Sequence, residues 1–537
     1  MKQNIQHMLR NVWVLGASAL LTFSSCDSFF DKNPYTFVAP ETFYSNEKEC
    51  TLALAGIYNS LCLTYGNDYS VLISGVDDHS YYARPYAGGK TWFNSHDSSN
   101  GEIYNVWKNF YSGINNANVL LDRIDGASFS DEAVRTRIKG EARFLRAYYH
   151  WLLVQGWYEV PLRKQTVDDI NISSMEATPH GEALDWIIAE MEECLSMVDD
   201  SAYDGSPSHV KKTVVEGILA RVCLWAAGSP NEGGKGYYEK AAKYAKAVVD
   251  SQKHHLHQGD IYALWKNLHS DSYDTEYNES MWEVEFVGTR DDGTYTDSRL
   301  GNTIGNLQEN SGVGSGVTGY SYGFFCGSLL LWDLFEKNSG DLRRDLSMAP
   351  YKLNKSDAQV AWKANAIVDR RCGKFRREWC TTYPKSKNHT EVNFPILRYA
   401  DVLLMLAEAE NEANQGPTAL AYSCLNEVRQ RAGIPTVSNL SFADFRQEVR
   451  DERGRELCFE SLRKYDLVRW GIYVDAIHNQ LGAATQSSRW TNSKNYLGSQ
   501  QYTAGTEARH QFLPIPMKEL GVNVLLKQNK YWSGAAE

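Results

Sequence analysis

Apolar residues recur at three- and four-residue steps through Trp107, Phe110, Ile114, Leu121 and Ile124, the signature of one buried helix face. Ser130-Asp131-Glu132 then opens a second helical run through Glu141-Ala142-Arg143-Phe144-Leu145-Arg146-Ala147-Tyr148-Tyr149, with Ser130 at the N-cap and acids in the first turn. The same period predicts helices at about 180–198, 209–228 and 237–252. In the last two, Gly217, Ala220, Ala241, Ala242 and Ala245 put small residues at the contact of an antiparallel pair, which resembles a tetratricopeptide hairpin. A second such pair, 398–414 and 418–432, is separated by Gly416-Pro417, a C-cap glycine followed by a residue that stops a helix. Ser441 and Asp444 have capping-box spacing and open a third helix.

Between these blocks the pattern lapses. Residues 253–380 hold one expected strand, 281–287, then a polar Gly/Ser/Asn-rich stretch over 293–323 followed by Phe324-Phe325. A long irregular stretch inside a compact body is functional or disordered. The expectation is a mainly α chain, a tetratricopeptide-like helical-repeat scaffold with an irregular, loop-rich ligand-binding region and a few short strands. Its expected divisions are 1–25, 26–252 with an early loop, and 253–537, in which irregular 253–390 precedes helices over 394–478 and a tail.

The N-terminus changes where this body works. Lys2 and Arg10 precede an apolar run over 12–23, which has the length of a signal-peptide core and falls short of the ~20 residues of a spanning helix. Ser24 and Ser25 before Cys26 resemble a bacterial lipoprotein box, although Phe23 stands where such boxes carry Leu. In that reading residues 1–25 are removed and Cys26 takes a diacylglyceryl group; two or more acyl chains anchor stably, whereas one is marginal. No later stretch is long and apolar enough to span.

Composition narrows the function. A formal net charge of −11 without a Lys/Arg block excludes tracking of a phosphate backbone, so nucleic acid is not an expected partner. The cysteines other than Cys26 are irregularly spaced, unlike a disulfide framework, with Cys372 and Cys380 the best-placed pair. With 32 Tyr and 15 Trp, more amphipathic rings are present than a helical core requires.

Several blocks together carry a family resemblance: 394–412 (Phe-Pro-Ile-Leu-Arg-Tyr-Ala-Asp onward), Leu425-Asn426 through Gly433, Glu452-Arg453 through Glu460, Arg463 through Gly471, Leu513-Pro514-Ile515-Pro516, and in the first half Glu141 through Tyr148, Val160-Pro161-Leu162 and Cys26 through Asp31. In this order the chain resembles the SusD/RagB family of nutrient-binding outer-membrane lipoproteins. Tyr158-Glu159 before Val160, and Gly454, depart from the family pattern. The resemblance implies a lipid-held surface protein that lies as a lid on a TonB-dependent, SusC-like transporter and binds oligosaccharide, with no cofactor and no catalysis. Peptide or glycopeptide binding on the same scaffold, a surface glycoside hydrolase, and a protein-binding repeat are the alternatives.

The resemblance also implies ligand contacts in the early loop and again after the central strand. Residues 77–94 mix aromatic rings with carboxylates, an amide and a guanidinium, which suits sugars, whose C–H faces lie on rings while paired polar groups meet hydroxyls. The expected contacts are Asp78, Arg84, Trp92 and Asn94, completed by Tyr295, Tyr320 and Tyr322. The competing reading is that Trp92 and Phe93 cap the core and that Arg84 pairs with Asp77 or Asp78. Gly314 through Gly319 match G-x-G-x-x-G but join no strand to a helix, so a dinucleotide is not expected. His254, His255 and His257 with Asp260, or Asp271, Asp274, Glu276 and Glu279, have no established metal spacing. Glu452, Glu456 and Glu460 share one helical face and are expected to form ion pairs rather than to flank a glycosidic bond.

Overall fold

In the computed structural model of this chain, residues 43–534 are described apart from 85–87, 167–173, 202–204, 288–297, 313–316, 383–384, 386 and 490–495. The expected signal segment, Cys26 and Tyr295 lie outside the described residues. The helices α1 (Glu47–Tyr65), α2 (Gly101–Arg123), α3 (Glu132–Trp157), α4 (His180–Cys194), α5 (Lys212–Ala227) and α6 (Lys235–Asp250) pack each on the next. The expected face of α2 is buried, Trp107, Phe110 and Ile114 included. After α7 (Ala263–Ser270) and α8 (Leu329–Glu336) come α9 (Tyr399–Asn414), α10 (Ala419–Arg431), α11 (Phe442–Leu457) and α12 (Arg463–Arg469). Helix α9 packs on α6 as well as on α10 and α11, so the repeat stack continues across the irregular interval.

Caps show where local sequence decided. Ser441 accepts from the Asp444 amide at 3.2 Å, as its spacing predicts. At α3, however, Asp131 is the cap, accepting from Ala133 N at 2.8 Å, while Ser130 donates to Glu47 at 2.9 Å; a carboxylate outcompetes a hydroxyl for the orphan amides. The left-handed residue ending α9 is Gln415, φ 54°, rather than Gly416. Helix α1, absent from the sequence expectation, buries Cys50, Leu54, Ile57 and Leu61.

Three two-stranded ladders fasten the irregular interval. Strands β1 (Ser80–Tyr82) and β3 (Phe325–Gly327) pair antiparallel, as do β2 (Ser280–Val284) and β6 (Phe394–Arg398), and β4 (Tyr351–Leu353) and β5 (Gln359–Ala361). The expected strand 281–287 is thus β2, shorter at its C-terminal end. Its fully buried Trp282 meets Tyr148 of α3 at 4.8 Å between ring centroids, and β6 runs straight into α9, so this ladder ties the two helical blocks together. All nine described cysteines are free thiols, Cys372 and Cys380 included.

Helix α11 is the hub of two charge networks. On one side Arg343 reaches Glu452 (2.6 Å), Glu456 (3.0 Å) and Asp341 (2.7 Å). Arg398 reaches Glu279 (2.7 Å), Glu456 (3.1 Å) and Glu460 (2.8 Å). Arg431 joins Glu279 to Glu456, Lys374 holds Glu460, and Arg429 and Arg455 close on Glu448 and Glu452. On the other side Arg453 binds Asp401 and Asp466, which Arg221 and Arg469 share, and Arg469 also holds Glu408. Burial alone would raise these carboxyls, but the guanidiniums win: Glu452 and Glu456 are lowered, and Asp401 and Glu408 are held down to about 2. Removing one partner of such a buried pair leaves an uncompensated charge, at a cost of about 3–5 kcal/mol.

Burial also depresses His79, His180 and His269 to about 4 and His150 and His510 to about 3, keeping them neutral. A depressed histidine contributes stability above its unfolded value, about 6.5, that is lost as the pH falls toward its folded value. The depressed carboxylates contribute above about pH 4 and lose it on the way down to 2. Carboxyls that burial raises to about 7, Asp77 and Glu283, act in the opposite sense but are outnumbered. The urea midpoint is therefore expected to begin falling below about pH 6.5 and to steepen below about pH 4; a midpoint constant between pH 7 and 4 counts against neutral buried histidines.

Candidate functional site

The segment after α1 enters β1, whose Tyr82 is carried to the core edge by pairing with Phe325; the flanking bond from Ala83 N to Phe324 O is 2.7 Å. Past the undescribed 85–87, Lys90 leads into a tight turn, Thr91–Phe93, which closes on Asn94 in the left-handed region. From the other side the glycine-rich stretch returns as Tyr320-Ser321-Tyr322-Gly323-Phe324. Its rings stand at every second residue, with left-handed Gly323 between the last two.

Together these two segments form a ladder of five rings. Trp92 stacks on Tyr82 at 4.9 Å and 22°, Tyr82 on Phe324 at 4.9 Å and 22°, and Phe324 on Tyr322 at 4.8 Å and 7°; Tyr320 stands edge-on to Tyr322 at 4.7 Å and 90°. Exposure is graded: Trp92 and Tyr82 are buried, while Phe324, Tyr322 and Tyr320 are half-buried. Cations decorate it, with exposed Arg84 4.9 Å over Phe324, Lys90 5.1 Å over Trp92 and Lys387 5.9 Å over Tyr320. Offset stacks of this kind fix ring orientation and leave outer ring faces and cationic donors at the surface.

Backbone bonds hold the outer rings in place. The Tyr320 carbonyl accepts from Arg377 Nη1 (2.5 Å) and Asn302 Nδ2 (3.0 Å). Tyr322 N donates to Asn302 O (2.8 Å), and Phe324 N donates to Thr303 O (2.9 Å). Gly319 and Gly323 make this course possible. Their φ values are +85° and +53°, and a Cβ on Gly319 would sit 2.7 Å from Arg377 Nε. Thr318 donates to Asp357 at 2.6 Å, pinning the loop one residue earlier. Gly314 and Gly316 of the G-x-G-x-x-G match lie outside the described residues, and Gly319 serves the packing against Arg377.

Of the seven expected contacts, the structure brings Arg84, Trp92, Tyr320 and Tyr322 to one ladder. Arg84 lies over Phe324, and its guanidinium is not among the ion pairs of Asp77 or Asp78. Trp92 is, as the competing reading had it, mostly a core ring. Asp78 lies elsewhere: buried, its carboxylate takes both prongs of Arg463 at 2.8 and 2.9 Å, which overcomes burial and holds it down to about 2. Asn94 is buried too, its amide donating to Tyr473 Oη (3.0 Å) and Thr506 Oγ1 (2.9 Å), a tie to the C-terminal segment. Tyr82 and Phe324 were missed, although the spacing Tyr320-x-Tyr322-x-Phe324 is a period-two signal that could have found Phe324.

The other candidates resolve into structural roles. His254 bonds Asn278 O and Thr213 Oγ1, Asp274 accepts from the amides of Glu276 and Tyr277, and Glu279 sits between Arg398 and Arg431. Among the described residues no group of three or more His, Cys, Asp or Glu is arranged to hold a metal ion. Glu452, Glu456 and Glu460 are ion-paired as expected, but only the first two share a helical face: α11 ends at Leu457, and Glu460 joins the network from the turn beyond it.

Comparison with known proteins adds the following. A model described as "SusD family" matches residues 354–532, and one described as "Starch-binding associating with outer membrane" matches residues 29–224. SusD-like protein P25 of Formosa agariphila is 25% identical, over 94% of this chain and 95% of that protein. The crystal structure of a SusD homolog from Bacteroides thetaiotaomicron superposes with a TM-score of 0.81 at 26% identity, covering 91% of this chain and 98% of that one. A laminarin-binding SusD-like protein gives 0.67 at 23%, over 90% and 99%, and is similar in fold.

Arg377 is fixed by its own bonds, so it has little room to yield to a side chain at position 319. Gly319→Ala is expected to cost roughly 1–2 kcal/mol from the positive φ and the close approach. Amide exchange should accelerate at 318–324 while α11 stays protected; equal acceleration in both would show that the glycine does not act locally.

Proposed function

We propose, because this chain belongs to the SusD/RagB family, that it captures oligosaccharide at the cell surface and passes it to a TonB-dependent, SusC-like outer-membrane transporter without altering it chemically. The ring ladder carries this reading. Tyr320, Tyr322 and Phe324 present half-buried faces that suit the C–H faces of sugars, and Arg84 and Lys387 lie beside them as donors for hydroxyls. Trp92 and Tyr82 act as the backing of the stack, so Trp92 contributes through position more than through contact.

Support from outside the chain is of the same kind. The family description over 29–224 names starch binding and association with the outer membrane, and a relative of the same fold binds laminarin. Among the described residues no helix is long and apolar enough to cross a membrane, which leaves attachment to the lipid on Cys26 in this reading. A binding role without catalysis fits the fate of the carboxylate row weighed above for glycoside hydrolysis: Glu452 and Glu456 are locked ionised among guanidiniums, unsuited to proton donation.

Calorimetry of the purified protein against a panel of polysaccharides tests the ladder. At least one glycan should bind, and Tyr322→Ala should weaken it by roughly five- to tenfold, the equivalent of one lost ring contact, with little change in melting temperature. Binding to none of the panel, or undiminished binding by Tyr322→Ala, would sink the assignment. Attachment has a separate test: Cys26→Ala should move the protein from the membrane fraction to the soluble one in cells lacking the partner barrel, and retention on membranes there argues against lipidation.

A further inference from the structure

A second concavity lies among α8, α11, α12 and the turn that follows α12, with a volume of about 250 Å³; none of the ladder rings lines it. Its charges are paired with one exception. Asp78 is held by Arg463, Asp451 by Lys337 at 2.7 Å, and Asp333 by Arg489 at 2.8 Å. Arg450 is left over. Among the described residues its guanidinium meets no carboxylate or carbonyl, and its Nε is sealed from solvent without an acceptor. The nearest acids behind it are committed elsewhere, Glu408 to Arg469 and Glu412 to Arg446.

On the wall Lys337, Arg450 and Arg463 face Asp78, Asp333 and Asp451, but Asp333 is taken by Arg489 from outside the lining, so the cation left without a carboxylate is Arg450. His79, also on the wall, is neutral, since burial pushes it down to about 4. Burial likewise lowers Arg450 from its ordinary range, the direction expected of a charge short of a counter-ion. The group is nonetheless held in place: it lies 4.9 Å over the ring of Trp470, and Trp470 is fixed by its Nε1–H bond to Glu408 at 2.8 Å. A positioned, incompletely paired guanidinium facing a cavity is an anion receptor, because its planar fork matches a carboxylate or sulfate with two parallel bonds.

We propose that this cavity binds the anionic group, carboxylate or sulfate, of a single acidic sugar unit, with Arg450 as its principal ligand. Gln447 and Gln480 stand on the wall with their amide NH2 groups donating to Asp451 (2.8 Å) and Asp475 (2.7 Å), so that their amide oxygens serve as acceptors for hydroxyls, and Leu334, Leu467 and Ile472 supply an apolar side for the ring. The volume falls below the roughly 300–1,000 Å³ of drug-sized sites, which limits the occupant to one unit. Naming a sugar as bearer of the anion rests on the glycan reading above; the anion site itself does not.

Calorimetry of the purified protein with sodium D-glucuronate, sodium sulfate and, as neutral control, glucose separates the cases. Glucuronate or sulfate should bind at this site and glucose should not; sulfate alone would mark a sulfate ester, and glucuronate a uronate. Arg450→Gln should weaken the anion at least tenfold, whereas Tyr322→Ala on the ladder should leave it unchanged. If Arg450→Gln does not fold, Gln480→Trp, at an exposed position on the rim, decides by obstructing the cavity, and the anion should be lost. Absence of binding by both anions, equal binding of glucose, or full anion binding in the variant that folds overturns the proposal. Anion binding that survives while every polysaccharide fails would overturn only the ladder reading.

Discussion

Six cations and six carboxylates meet around α11: Arg343, Lys374, Arg398, Arg429, Arg431 and Arg455 against Glu279, Asp341, Glu448, Glu452, Glu456 and Glu460. All but Arg431 and Glu448, which are half-buried, are buried. A desolvated set of this kind is stable only when complete, because every missing member strands a charge in low dielectric. It therefore acts as a register device more than as a source of net stability. The members come from the segment before β2, from 341–343, from Lys374, from the end of β6, from α10 and α11 and from the turn after α11. Those pieces must all arrive at once, and their arrival sets where the irregular interval lies on the helical stack.

The ladder inherits its precision from that constraint. Its inner rings come from the stretch after α1 and its outer rings from residues more than two hundred positions later, joined by the β1/β3 pair. Arg377, close in the chain to Lys374, holds the Tyr320 carbonyl, so the loop that offers rings to solvent is tied within a few residues to the charge network. The surface rings thus sit on a support that cannot shift without separating buried ions.

Much of this was legible in the chain before folding. Helices α2 to α6 and α9 to α11 follow from three-and-four periodicity and caps, and the ion-pairing of Glu452 and Glu456 from their common face. Local signals failed where the competition was tertiary. Asp131 took the cap that Ser130 could have held, and Asp78 and Asn94, polar residues in a ring-rich loop, turned inward because Arg463, Tyr473 and Thr506 approach from almost four hundred residues away. No local pattern encodes such partners. The same distance hid Tyr82 as a ladder ring, since only pairing with β3 puts it beside Phe324.

The bonds that place the outer rings have one property in common. At Tyr320, Tyr322 and Phe324 each is made to main-chain N–H or C=O groups, from Arg377, Asn302, Thr303 and Ala83. A main-chain group is the same whatever side chain it bears. The clamp therefore fixes the course of this segment through groups that no substitution at 320, 322 or 324 removes, so the three rings can be exchanged for others without giving up a hydrogen bond.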